Sequence, residues 1–160
     1  NPATNSSTKL AMPVQGIEAS DLTDTFFEPR GKDGVRLHEA IDIMAPRGTK
    51  VVAAAPGTIA KIHTSKAGGK SIYVRSKDKK TLYYYAHLDA YAEGLSEGAR
   101  LSAGQALGTV GNTGNAAPDA PHLHFAVFQT TADAEWWEPA NPVNPYPLLT
   151  GSQGSAQPAG

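Results

Sequence analysis

Two histidines one residue apart, in Pro121-His122-Leu123-His124-Phe125, are the side chains best placed for chemistry. On a strand, residues i and i+2 share a face with Cα atoms ~6.6 Å apart. Leu123, Phe125 and Val127 then point to the opposite, apolar side. One imidazole of such a pair can bind a metal ion while its neighbour moves a proton beside it. The second element is His87, next to last in the run Tyr83-Tyr84-Tyr85-Ala86-His87-Leu88. Strict alternation places Thr81, Tyr83, Tyr85 and His87 on one face and Leu82, Tyr84, Ala86 and Leu88 on the other. The third element is His38-Glu39-Ala40-Ile41-Asp42. On a helix its first and last residues lie ~5–6 Å apart at Cβ and suit a shared metal, with Glu39 as general base. Leu37, Ile41 and Met44 fit that helical spacing. On a straight strand the same two residues are ~13 Å apart, so a bend at His38 must bring it to Asp42. Spacing leaves both geometries open. The fifth histidine, His63, has no partner pattern and reads as structural or solvent-exposed.

The elements that must carry these residues are strands. Lys50–Ala55 runs into a Pro56-Gly57 turn and Thr58–Ile62 follows it. Ser71–Arg75 alternates, Ser76–Lys80 is polar enough for a hairpin tip, and the aromatic run Thr81–Leu88 is its return strand. Gln105–Val110 is closed by the turn Gly111-Asn112-Thr113-Gly114, and Pro121–Phe128 is the last clear strand. Only Val35–Ala45 tolerates a helical reading. The expected fold is therefore mainly β: a compact antiparallel sheet domain with few short helices. Its expected limits are residues 14–149, between a flexible N-terminal segment, 1–13, and a flexible tail, 150–160.

Composition narrows the chemistry. The 160 residues are enough for one core, and Gly 16 with Pro 12 fits short strands joined by many turns. Lys and Arg number 14 against 15 Asp and Glu, a net charge of -1, which argues against nucleic acid or an anionic membrane surface as the main partner. No apolar run approaches the ~18 residues of a membrane span. No charged and then apolar leader opens the chain. With no cysteine at all, thiolate zinc sites, iron–sulfur clusters and cysteine nucleophiles are excluded. Any metal site must be built from histidine and carboxylate.

Taken together, the three elements resemble the lysostaphin-type (LytM-like) zinc metallopeptidases that cut peptidoglycan peptides. The motifs are His38-Glu39-Ala40-Ile41-Asp42, Tyr85-Ala86-His87-Leu88 and Pro121-His122-Leu123-His124-Phe125, in that order. Connecting text agrees as well, in Ile41–Thr49 and Gly104–Gly114, so the likeness spans roughly Arg30–Pro145. The resemblance implies a zinc ion (Zn2+) held by His38, Asp42 and His124, with Glu39 a bystander and the metal in a groove on one sheet. It makes His87 and His122 the catalytic pair that does not bind the metal. Three protein ligands leave a fourth position for water, as in catalytic zinc sites. His122 is then expected as general base, because it flanks His124 on one strand face, and His87 as the group that stabilises the oxyanion.

The implied function is a zinc-dependent endopeptidase hydrolysing peptide cross-links of bacterial peptidoglycan, working as a monomer in the cell envelope, periplasmic or extracellular. Ala40, Ala120 and Ala126 depart from the family text, where glycine, glycine and glutamate are common; none of them removes a ligand. An inactive relative that binds cell wall or regulates another hydrolase is the alternative. It is weakened by the presence of all five functional positions. A lipoyl- or biotinyl-type carrier, with Lys79 or Lys80 modified at the hairpin tip, leaves the histidines and Asp42 unexplained.

Overall fold

The computed structural model describes residues 10–18, 21–22, 29–30, 36–37, 40–66, 69–113, 121–138 and 140–150. Its strands are β1 (Pro29–Arg30), β2 (Arg36–Leu37), β3 (Ile41–Met44), β4 (Lys50–Val52), β5 (Gly57–Ser65), β6 (Gly69–Ser76), β7 (Thr81–Tyr91), β8 (Arg100–Leu101), β9 (Ala106–Val110), β10 (His122–Gln129) and β11 (Asn141–Val143). One short helix, α1 (Pro145–Thr150), closes the described chain. The mainly antiparallel β architecture expected from the sequence is what the structure shows. The strands of the main sheet run β11-β10-β7-β6-β5-β8, and every pairing is antiparallel.

Two long strands organise this sheet. β10 pairs along one edge with β7, and along its other edge first with β3 and then with β11. β7 pairs with β10 through its first half and with β9 through its second, while β6 lies along its other side. β6 and β7 meet at the hairpin Ser76–Lys80, where Lys79 adopts φ 67° and Asp78 accepts hydrogen bonds from Ser76 Oγ and Lys80 N.

One face of the sheet is the core. Ile41 and Ile43 of β3, Leu123 and Phe125 of β10, Tyr85 of β7 and Ile72 of β6 are at most 1% exposed. Phe125 and Tyr85 are direct cross-strand partners with ring centroids 5.2 Å apart, a pairing of aromatics that stabilises neighbouring strands. Leu10, Val14, Val51, Ala53, Leu107 and Leu149 cover this face. The Tyr85 hydroxyl reaches across the core and accepts the buried Ala54 N–H at 2.9 Å. The opposite face of β3, β10, β7 and β6 carries Asp42, His122, His124, Tyr84 and Tyr73.

The segment that tolerated a helical reading is a strand where it is described. In β3, buried Ile41 and Ile43 alternate with partly buried Asp42 and exposed Met44, a period of two. Helical spacing grouped Ile41 with Met44, but Met44 is 55% exposed and stands opposite His122 in the strand register. His38 and Glu39 lie outside the described residues. The sequence reading also missed β11 and α1, where Pro142, Pro145 and Pro147 mask any periodic signal.

Candidate active site

The register of β3 on β10 sets the first contact. Asp42 stands directly opposite His124, and Met44 opposite His122. Because Leu123 and Phe125 are held in the core, the two histidines must leave by the other face, with Asp42 beside them. Asp42 Oδ1 is buried, 3.6 Å from His124 Nδ1 and 3.5 Å from His122 Nε2. Two donors held ~2.0–2.2 Å from one zinc ion at a tetrahedral angle stand about 3.4 Å apart, so a carboxylate oxygen and an imidazole nitrogen at this separation fit such an ion. Among the described residues no three of the His, Asp and Glu side chains form a metal-binding cluster. The third expected ligand, His38, lies outside them.

His87 arrives by a different device. Lys70 pairs with Leu88 and Ile72 with Tyr85, so between these pairs β7 has one residue more than β6. That extra residue is a β-bulge, and within it His87 adopts φ 64°, in the left-handed region. The bulge breaks the alternation expected from the sequence. Tyr83 and Tyr85 face the core, yet His87 does not join them. Its ring instead lies 5.1 Å from that of His122 and 5.7 Å from that of His124. Leu88 then returns to the core, fully buried. A non-glycine residue in the left-handed region costs ~1–2 kcal/mol, and strain of this kind persists where surrounding contacts fix it.

Thr113 supplies those contacts. Its carbonyl lies 2.6 Å from His87 Nδ1; a carbonyl only accepts, so Nδ1 carries the proton and donates it. Burial lowers the His87 pKa to about 4; the Thr113 hydrogen bond works against this shift, and the neighbouring His124 and His122 add to it. His87 is therefore neutral at neutral pH, with its lone pair on Nε2. The approach of Thr113 depends on Gly111, where a Cβ would stand 2.6 Å from Asp89 N and 2.7 Å from its Cα. The sequence reading took Gly111–Gly114 as a turn that closes a strand and as part of the connecting text shared with the family, with no role for Thr113. Nothing in residue type or spacing marks Thr113 as the partner of a histidine 26 positions earlier.

From His124 the face continues as a row of rings. Tyr84 meets His124 edge-on at 5.8 Å, Tyr73 lies 4.6 Å from Tyr84, and Trp136 lies 4.9 Å from Tyr73 and 5.3 Å from His63. Burial and the neighbouring Tyr84 phenol push the Tyr73 hydroxyl up to about 12, so it stays protonated and available as a donor. The structure thus brings together Asp42, His87, His122 and His124 of the residues expected at the site. His63 stands apart, against Trp136.

Residues 36–145 match Peptidase family M23. The chain belongs to this family. The sequence is 32% identical over 130 residues to the L-Ala–D-Glu endopeptidase of Bacillus subtilis (strain 168), a match covering 78% of this chain and 38% of that protein. It is 31% identical over 91 residues to the peptidoglycan DD-endopeptidase ShyC of Vibrio cholerae, covering 57% of this chain and 20% of that one. The chain spans less than two fifths of the length of these curated relatives. Among solved structures, the catalytic domain of the antimicrobial peptidase lysostaphin from Staphylococcus simulans superposes with a TM-score of 0.67 at 27% identity, over 82% of this chain and 94% of that one. The lysostaphin-type resemblance read from the three motifs is thereby borne out, and M23 peptidases share this antiparallel fold. No helix among the described residues is long and apolar enough to cross a membrane.

Proposed function

We propose that this M23 domain is a zinc-dependent endopeptidase acting on peptide bonds of bacterial peptidoglycan in the cell envelope. The observation that carries the reading is the placement of Asp42 opposite His124, 3.6 Å from its Nδ1, with His122 and His87 against the same pair. His38, Asp42 and His124 would hold the ion. Bound zinc would polarise a scissile carbonyl and make water a stronger acid. The chain's own residues supply the proton handling. His122 and His87 are imidazoles near the proposed ligands, and neutral His87 has a lone pair on Nε2 to accept a proton. The row from Tyr84 to Trp136 offers an extended surface beside the metal position along which a peptide can lie.

The two relatives are named for different bonds, one as an L-Ala–D-Glu endopeptidase and the other as a peptidoglycan DD-endopeptidase. The test therefore digests purified peptidoglycan of two cross-link types with zinc-loaded protein, with and without a chelator. Product masses assign the bond. Release of soluble muropeptides that stops with chelator and returns with zinc is expected. No release from either substrate by zinc-loaded protein, or release that chelator leaves unchanged, overturns the proposal.

A further inference from the structure

Thr113 does more than accept one hydrogen bond. Lys70 N donates to Thr113 Oγ1 at 3.1 Å, and Thr113 Oγ1 donates to Leu88 O at 2.7 Å. Lys70 and Leu88 are cross-strand partners at the mouth of the β7 bulge. The threonine hydroxyl therefore stands between the two strands as a relay, satisfying one backbone donor and one backbone acceptor where the ladder is disrupted. The same residue's carbonyl takes the proton of His87 Nδ1, one position before Leu88. One side chain thus props the bulge that turns His87 out of the core, and the backbone behind it fixes the proton on the His87 ring.

We infer that Thr113 is a positioning residue: it holds His87 at its left-handed backbone position and in the tautomer protonated on Nδ1, so that His87 presents the lone pair of Nε2 to the reaction as a proton acceptor. This reverses the expected division of labour, in which His87 stabilises an oxyanion, because that role needs a proton on Nε2. A hydroxyl is the part of the side chain that matters. Valine has the same shape but strands both Lys70 N–H and Leu88 C=O, whereas serine keeps the relay.

The catalytic half of the inference rests on the proposed hydrolysis; the tautomer half does not. The experiment reads both. Long-range 1H–15N correlation spectra of histidine-labelled protein report which ring nitrogen of His87 is protonated, with His87→Gln identifying the signal. Kinetics on a defined peptidoglycan peptide are run in parallel. Wild-type protein is expected to show Nδ1-protonated His87. Thr113→Val should mix in the Nε2-protonated form and lower kcat about tenfold or more, with KM changing less than about twofold, and Thr113→Ser should restore both. Wild-type His87 protonated on Nε2 overturns the inference. So does Thr113→Val that keeps the wild-type tautomer, or that shifts it while leaving kcat unchanged. If Thr113→Val does not fold, the wild-type and Thr113→Ser spectra still decide the tautomer. Wild-type protein with the expected tautomer but no hydrolysis refutes the proposed function and leaves the clamp standing.

Discussion

Replacing Tyr85 by Phe removes one oxygen atom from the middle of the core, and the structure sets the size of the effect. The ring stays: it is fully buried, lies 5.2 Å from Phe125 and fills the same volume in either residue. What is lost is the acceptor for Ala54 N–H, a donor on a residue only 2% exposed. A buried donor left without a partner costs ~1–3 kcal/mol, and taking the middle of that range, about 2 kcal/mol, lowers Tm by roughly 4–8 °C for a domain of this size. The change is made on the core face, opposite the side that carries His124 and Asp42. Tyr85→Phe is therefore expected to unfold several degrees earlier in a thermal scan while keeping its kcat at temperatures well below Tm. Tyr84→Phe is the counterpart. Its hydroxyl hydrogen-bonds Ser71 and Tyr73 on the site face, so its effect should fall on substrate kinetics more than on Tm. A Tyr85→Phe protein with unchanged Tm and depressed kcat would refute the face assignment, and with it the account of how the bulge redirects His87.

Two further outcomes follow from the same geometry. At φ 64°, His87 sits where an ordinary side chain is strained and glycine is not, so His87→Gly should be more stable to urea than His87→Ala by about 1 kcal/mol, the reverse of the usual strand order; the usual order contradicts a left-handed His87. Zinc binding requires the ligand imidazoles to be deprotonated, so affinity measured by competition titration should fall at least about tenfold from pH 7.5 to pH 5. Equal affinity at the two pH values argues against histidine ligation.

Alternation reads a strand correctly only while the ladder keeps its register. It holds in β10, where His122 and His124 leave one face while Leu123 and Phe125 are buried, so the sequence pattern alone places this pair. It also separates Asp42 from Ile41 and Ile43 once Ile43, rather than Met44, is taken as the apolar partner of Ile41. In β7 the same rule places Tyr83 and Tyr85 correctly and then fails at the next residue of the series, His87. The cause is a single extra residue in β7 and one positive φ. Neither has a signature in residue type, because histidine is not the residue a left-handed position ordinarily selects. The signal that stabilises the bulge lies outside β7 altogether, in Thr113, brought near by a close approach at Gly111 that excludes a Cβ. Two strand patterns and their register thus suffice to set Asp42 beside His124 and His122. The orientation and protonation of the imidazole beside them depend on a contact 26 residues away, which only the folded chain displays. Family resemblance can propose a role for His87 for this reason, while its tautomer has to be read from the hydrogen bond that Thr113 accepts.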